Sequence, residues 1–197
     1  MFIWATTVAR FLEKNTKQRF NILKTREHER SAGRFEELYS LYSTVVKASF
    51  HDLEEEEIKV FTSIIGATIF AKQPLDDTAL TKLPGVDMLK FIRDGLVSVI
   101  DSGPILHFHH RSFEDFLLSD SFQQHSPSLS DVQDRKCHER QLAALRLNCM
   151  VSSELHFNMC NLESSNIEKN VDITATSKSA IPSLISYSSL FWADHLV

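Results

Sequence analysis

The chain has 197 residues, 43% of them hydrophobic and 24% charged, which fits one globular unit or a small domain with added helices. Five glycines and five prolines are too few for a turn-dense sandwich or barrel, while fourteen phenylalanines supply bulky core material. A formal net charge of −5 argues against a nucleic-acid partner held by bulk electrostatics. Cys137, Cys149 and Cys160 form neither a C-x-x-C pair nor an even disulfide set, which predicts a reducing, cytoplasmic compartment.

In chain order, Phe2, Ile3, Trp4, Val8, Phe11 and Leu12 return at helical spacing and predict a first helix. It opens without a cap, as though sequence preceded it. Arg10, Glu13 and Lys14 interrupt this apolar stretch well short of the roughly 18 residues a bilayer span needs, so neither a membrane anchor nor a signal peptide is expected. Asn15 to Arg34 reads as a linker or a weakly amphipathic helix.

From Phe35 the pattern is firmer. Leu38, Leu41, Tyr42, Val45 and Ser49 share one helical face, with Glu36 and Glu37 near the helix start, where acids are favoured. Asp52 is the expected cap of the next helix. Glu54 to Glu57 load its first turn, and Ile58, Phe61, Ile65 and Ile69 form its buried face. The four acids point round the helix and do not converge on one ion. Lys72 to Leu75 ends that helix, and Asp76 or Asp77 caps a short one running to Leu83, before Pro84-Gly85. Asp87 opens a further helix with Met88, Ile92, Leu96 and Val99 on one face. Ile105 to His109 alternates as a strand does. Ser112 to Asp115 reads as a capping box for the helix through Phe116 and Leu118. Past Phe122 a polar loop is expected to about Asp131, then a helix with Leu142, Leu145 and Cys149. Glu163 to Ser179 reads as loosely ordered, and a last helix carries Tyr187, Phe191 and Leu196.

The predicted class is therefore mainly α: a winged-helix-like unit of three helices and a short β-hairpin, flanked by additional helices. Val97 to Ile100 is the candidate first strand of the hairpin and Ile105 to His109 the second.

Several stretches together resemble fungal NACHT-type ATPases, signalling proteins of the STAND class related to the NOD-like receptors of innate immunity. They are Phe2-Ile3-Trp4-Ala5-Thr6, Leu38-Tyr39-Ser40-Leu41-Tyr42, Ile64-Ile65-Gly66-Ala67 leading to Pro74-Leu75, His110 to Leu117, and Ser186-Tyr187-Ser188 with Phe191 to His195. The resemblance implies three parts: residues 1–33 from the end of a nucleotide-binding module and its linker helix, 34–122 as a winged-helix-like domain, and 123–197 as the start of a helical arm. It also implies signal transduction through protein partners, namely the neighbouring NACHT core and downstream repeat domains of a parent. No G-x-x-x-x-G-K-[ST] phosphate loop is present, nor a hydrophobic strand ending in magnesium-holding acids, so ATP hydrolysis does not carry over. The chain alone is thus expected to be no enzyme and to hold no cofactor, whereas ADP or ATP belongs to the parent. One family residue does carry over. The pattern Phe-x-His-x-Ser-Phe reads Phe108-His109-His110-Arg111-Ser112-Phe113 here, which implies that His110 touches the β-phosphate of ADP once a nucleotide-binding core is present. Independently, a histidine where a strand passes into a helix lies beside unpaired N–H groups that favour anions. The plainer reading is that His110 merely satisfies backbone groups at that junction.

Other chemistries are weaker. His107 and His109 share a strand face and could start a zinc site, but no third His or Cys stands at metal spacing, so no metal is expected. No nucleophile elbow or Cys–His pattern appears. One alternative function is a winged-helix nucleic-acid binder reading DNA with Asp87 to Ile100. That helix sets only Lys90 and Arg93 against Asp87 and Asp94, where a groove-reading helix brings more positive charge. The other alternative is a helical protein-interaction scaffold.

Overall fold

A computed structural model describes residues 2–13, 16–25, 34–83, 86–101, 103–162 and 173–195. The chain is mainly helical. In order run α1 (Phe2–Glu13), α2 (Thr16–Thr25), α3 (Arg34–Phe50), α4 (Glu55–Phe70), α5 (Asp77–Leu80), α6 (Val86–Gly95), α7 (Arg111–Leu117) and α8 (Asp120–His125). A 3-10 helix, Pro127–Gln133, leads into α9 (Arg135–Val151), then α10 (Ile173–Ala180) and α11 (Ser183–Phe191), with a closing 3-10 turn, Trp192–His195. Among the described residues no helix is long and apolar enough to cross a membrane.

The predicted apolar faces form the core. Leu38, Leu41, Tyr42 and Val45 of α3 are buried, as are Phe61 and Ile65 of α4 and Leu142, Leu145 and Cys149 of α9. Helix α3 packs on α6, α7 and α8, while α4 packs on α9 and the Pro127–Gln133 turn, and α11 on α9. The aromatic rings cluster: Tyr42 meets Phe113 edge-on at 5.0 Å, and Phe116 meets Phe122 at 5.5 Å.

Local chemistry moves several boundaries. Glu54, not Asp52, caps α4, through a reciprocal box in which the Glu54 N–H donates to Glu57 Oε2 at 2.9 Å. Asp52 instead faces His51 at 2.7 Å. Asp76 is the cap of α5, its Oδ1 accepting the Ala79 N–H at 2.8 Å, while its Oδ2 receives the hydroxyl of Ser183 in α11. The helix expected over residues 87–100 stops at Gly95. There the Ser49 hydroxyl donates to the Gly95 carbonyl at 3.0 Å, and a Cβ on Gly95 would stand 2.6 Å from the Phe50 ring. The polar loop expected after Phe122 is instead helical, because Ser119 caps α8 and Pro127 opens the 3-10 turn. Part of the stretch expected to be loose, Ile173 to Ala180, is helix α10, while residues 163–172, Leu196 and Pro84-Gly85 lie outside the described residues.

The expected hairpin does not form as strands; no strand is present among the described residues. Residues 97–99 are drawn into a turn whose Val99 and Ile100 N–H groups both donate to the Leu96 carbonyl, which leaves too little extended chain for a ladder. What remains is an isolated antiparallel bridge between Ile100 and Phe108, flanked by His109 N–H to Val99 O at 2.8 Å and Asp101 N–H to His107 O at 3.0 Å. A second bridge joins Asp76 to Ile105.

Candidate functional site

Helix α7 begins at His110, whose backbone is extended (φ −148°, ψ 137°). Its Nδ1 accepts the Ser112 N–H at 3.0 Å and lies 2.8 Å from Ser112 Oγ, and its carbonyl accepts the Phe113 N–H. Ser112 therefore does not cap the helix as its capping-box pattern suggests. His110 does, and the Ser112 hydroxyl turns inward to Tyr42 Oη at 2.7 Å. A ring nitrogen that accepts an N–H carries no proton, so the neutral imidazole keeps its proton on Nε2 as the remaining donor. Thr7 of α1 also hydrogen-bonds Tyr42, and burial pushes the Tyr42 hydroxyl above the ordinary tyrosine range. Tyr42, Ser112 and His110 thus form one polar chain from the core to the exposed imidazole. A Ser–His contact resembles half of a hydrolase dyad, but this serine is buried and shared with Tyr42.

His110 lies on the rim of a cleft of about 270 Å³ between α1, α3 and the 96–110 segment, with Arg10, His109, Ser98, Val99 and Phe113 also in its walls. His109 and His110 are neighbours in sequence, yet both line this cleft. The chain bends at these two residues, so both border the same space. The pairing of His107 with His109 does hold. His107 Nε2 lies 3.1 Å from Asp101 Oδ2, and His109 Nδ1 lies 3.3 Å from Asp101 Oδ1. Burial pushes the His109 imidazole below its ordinary value, and the Arg10 charge adds to this, while Asp101 opposes both. Among the described residues no group of three or more His, Cys, Asp or Glu could hold a metal ion.

The two cations of α6 differ. Lys90 is exposed, whereas Arg93 donates to the Asp101 carbonyl at 3.0 Å and pairs with Asp77 of α5. The sequence singles out His110 but not its neighbours Arg10 and Ser98 or the Tyr42–Ser112 bond. Arg10 reads as a break in an apolar helix and Tyr42 as core. Only the tertiary fold brings them to the histidine.

No protein-family model matches the chain, and no curated protein or solved structure matches it.

Proposed function

We propose that the chain is a non-catalytic regulatory and interaction segment of a NACHT-type signalling ATPase, in which His110 contacts the ADP phosphate when a nucleotide-binding core is joined to it. The observation that carries this reading is the hydrogen bond from the Ser112 N–H to His110 Nδ1, which assigns the ring proton to Nε2. With Nδ1 held by the Ser112 N–H, Nε2–H remains a donor, and His110 lines a cleft that Arg10 also lines. A winged-helix-like unit is supported by the run of helices α3 to α6 followed by the isolated Ile100–Phe108 bridge. The nucleic-acid reading is weakened because Arg93 is committed to Asp77 and the Asp101 carbonyl, leaving Lys90 as the exposed cation of the two.

The test is ADP dissociation from a parent rebuilt with an upstream nucleotide-binding core. His110→Asn keeps a side-chain acceptor for the Ser112 N–H but removes the Nε2 donor. ADP should leave about five- to a hundredfold faster from this variant, the range of one hydrogen bond to a charged group. His107→Ala, which alters a histidine outside the cleft walls, is the control and should leave the rate unchanged. Equal rates for His110→Asn and the parent would reduce His110 to a helix cap.

A further inference from the structure

The cleft has a chemistry of its own. Its volume, about 270 Å³, lies below the roughly 300–1,000 Å³ of sites for drug-sized ligands and well above the roughly 150 Å³ that encloses a single benzene. That is room for one ring or a short aliphatic chain with a small head group. Ile3, Val99 and Phe113 give it apolar sides. Against them stands Ser98, 3% exposed, whose hydroxyl has no hydrogen-bond partner among the described residues. A buried hydroxyl left unpaired is costly, and of the six buried side-chain polar atoms in this state among the described residues, Ser98 Oγ belongs to the one residue that lines the cleft. The sign of the charge is also set. Arg10 and His110 are both wall residues, and no carboxylate is among the described wall residues. Asp101 stands behind His109 and holds its Nδ1.

We infer that this cleft binds a small amphipathic anion, an apolar body of about one ring carrying a single oxyanion, with Arg10 as its charge partner. The inference goes beyond the regulatory reading and holds with or without a nucleotide-binding core upstream. The head group is a carboxylate or a phosphate, and both present the same oxygen acceptors to Arg10, His110 and Ser98.

The experiment titrates the intact chain with benzoate, phenyl phosphate and neutral benzamide, followed by calorimetry and by methyl NMR of Val99. Both anions should bind with Kd on the order of 1 mM, as expected for ligands of this size, and shift the Val99 methyls. Benzamide should bind about tenfold more weakly. The tighter of the two anions identifies the head group. Arg10→Gln should weaken the anions about tenfold and leave benzamide unchanged, while Arg10→Lys, which keeps the charge, should hold affinity within about threefold. Ser98→Ala should weaken all three probes a few-fold and serves as the second variant if Arg10→Gln does not fold. Equal affinity for benzamide and the anions, shifts that bypass Val99, or no binding by any probe would overturn the inference. ADP release from a rebuilt parent is a separate readout, so either conclusion can fail alone.

Discussion

The hydroxyls of Tyr42 and Ser112 lie 2.7 Å apart across seventy positions of sequence, tying the middle of α3 to the first turn of α7. Because the same serine reaches His110 Nδ1, the orientation of the exposed imidazole is set from inside the core. Tyr42→Phe keeps the ring contacts with Phe113 and Phe116 and deletes only the hydroxyl. It should cost about 1 kcal/mol in urea denaturation, the net value of one such bond. Tyr42→Leu also removes the ring packing and should cost about 2–4 kcal/mol.

Alkaline pH provides a second test of the same burial. Burial raises the Tyr42 and Tyr187 hydroxyls above the ordinary tyrosine value of 10.0. The unfolded chain therefore releases these protons first. The stability they contribute is fully present below pH 10 and is lost as pH rises through the folded values. Unfolding free energy should fall above pH 10 in the wild type, and more shallowly in a Tyr42→Phe/Tyr187→Phe double variant. Identical slopes would mean neither hydroxyl titrates differently on unfolding.

His110 has a structural duty in the chain alone. His110→Ala removes the acceptor for the Ser112 N–H and should cost about 1 kcal/mol, whereas His110→Asn should stay within about 0.5 kcal/mol of wild type. Thermal unfolding of the two variants side by side decides this. Equal losses would mean the Nδ1 contact does not cap α7.

Gly66 sits where α4 meets α9. A Cβ there would fall 2.2 Å from the His138 ring, which is 3% exposed and stacked on Phe70. Gly66→Ala should destabilise the fold by about 1–3 kcal/mol through overpacking. In a Gly66→Ala/His138→Ala double variant the loss should be smaller than the sum of the singles, since the clash disappears with the ring. Additive losses would place the strain elsewhere.

These cases show how far the sequence was legible. Helical periodicity located α1, α3, α4, α9 and α11; α3, α4 and α9 bury their apolar stripes, whereas α1 buries Phe11 but leaves Phe2 and Trp4 exposed. Some differences are local, as where Glu54 rather than Asp52 caps α4, and others are decided by groups distant in sequence. Gly95 ends α6 because Ser49 and Phe50 of α3 meet it, and Ser112 gives up capping because Tyr42 takes its hydroxyl. The wing strands do not form although Ile105 to His109 alternates, because the partner segment turns back on the Leu96 carbonyl. His110 was visible as a motif, and the Tyr42 to Ser112 chain behind it was not.

Among the described residues Arg146 is the largest side chain fully withdrawn from solvent, at 0% exposure. Its guanidinium stacks over Tyr187 at 4.3 Å and donates to the Tyr187 hydroxyl and the Phe191 carbonyl. Arg146→Lys keeps the charge but has no planar fork to stack and donate at once, so it should lose nearly as much stability as Arg146→Ala, about 2–4 kcal/mol. Limited proteolysis should show residues 183–195 cut first in both variants. A lysine variant as resistant as wild type would mean that charge alone anchors α11.

Asp76 belongs to three structures at once. Its backbone pairs with Ile105, one carboxylate oxygen holds the start of α5, and the other receives Ser183 at the start of α11. The last long helix and the segment that leads to His110 therefore meet at a single residue. If α11 swings outward, it must either let go of the Ser183 contact or drag Asp76, and with it Ile105, along. Asp76 thus joins α11 to the segment that leads to His110, which lies five positions beyond Ile105.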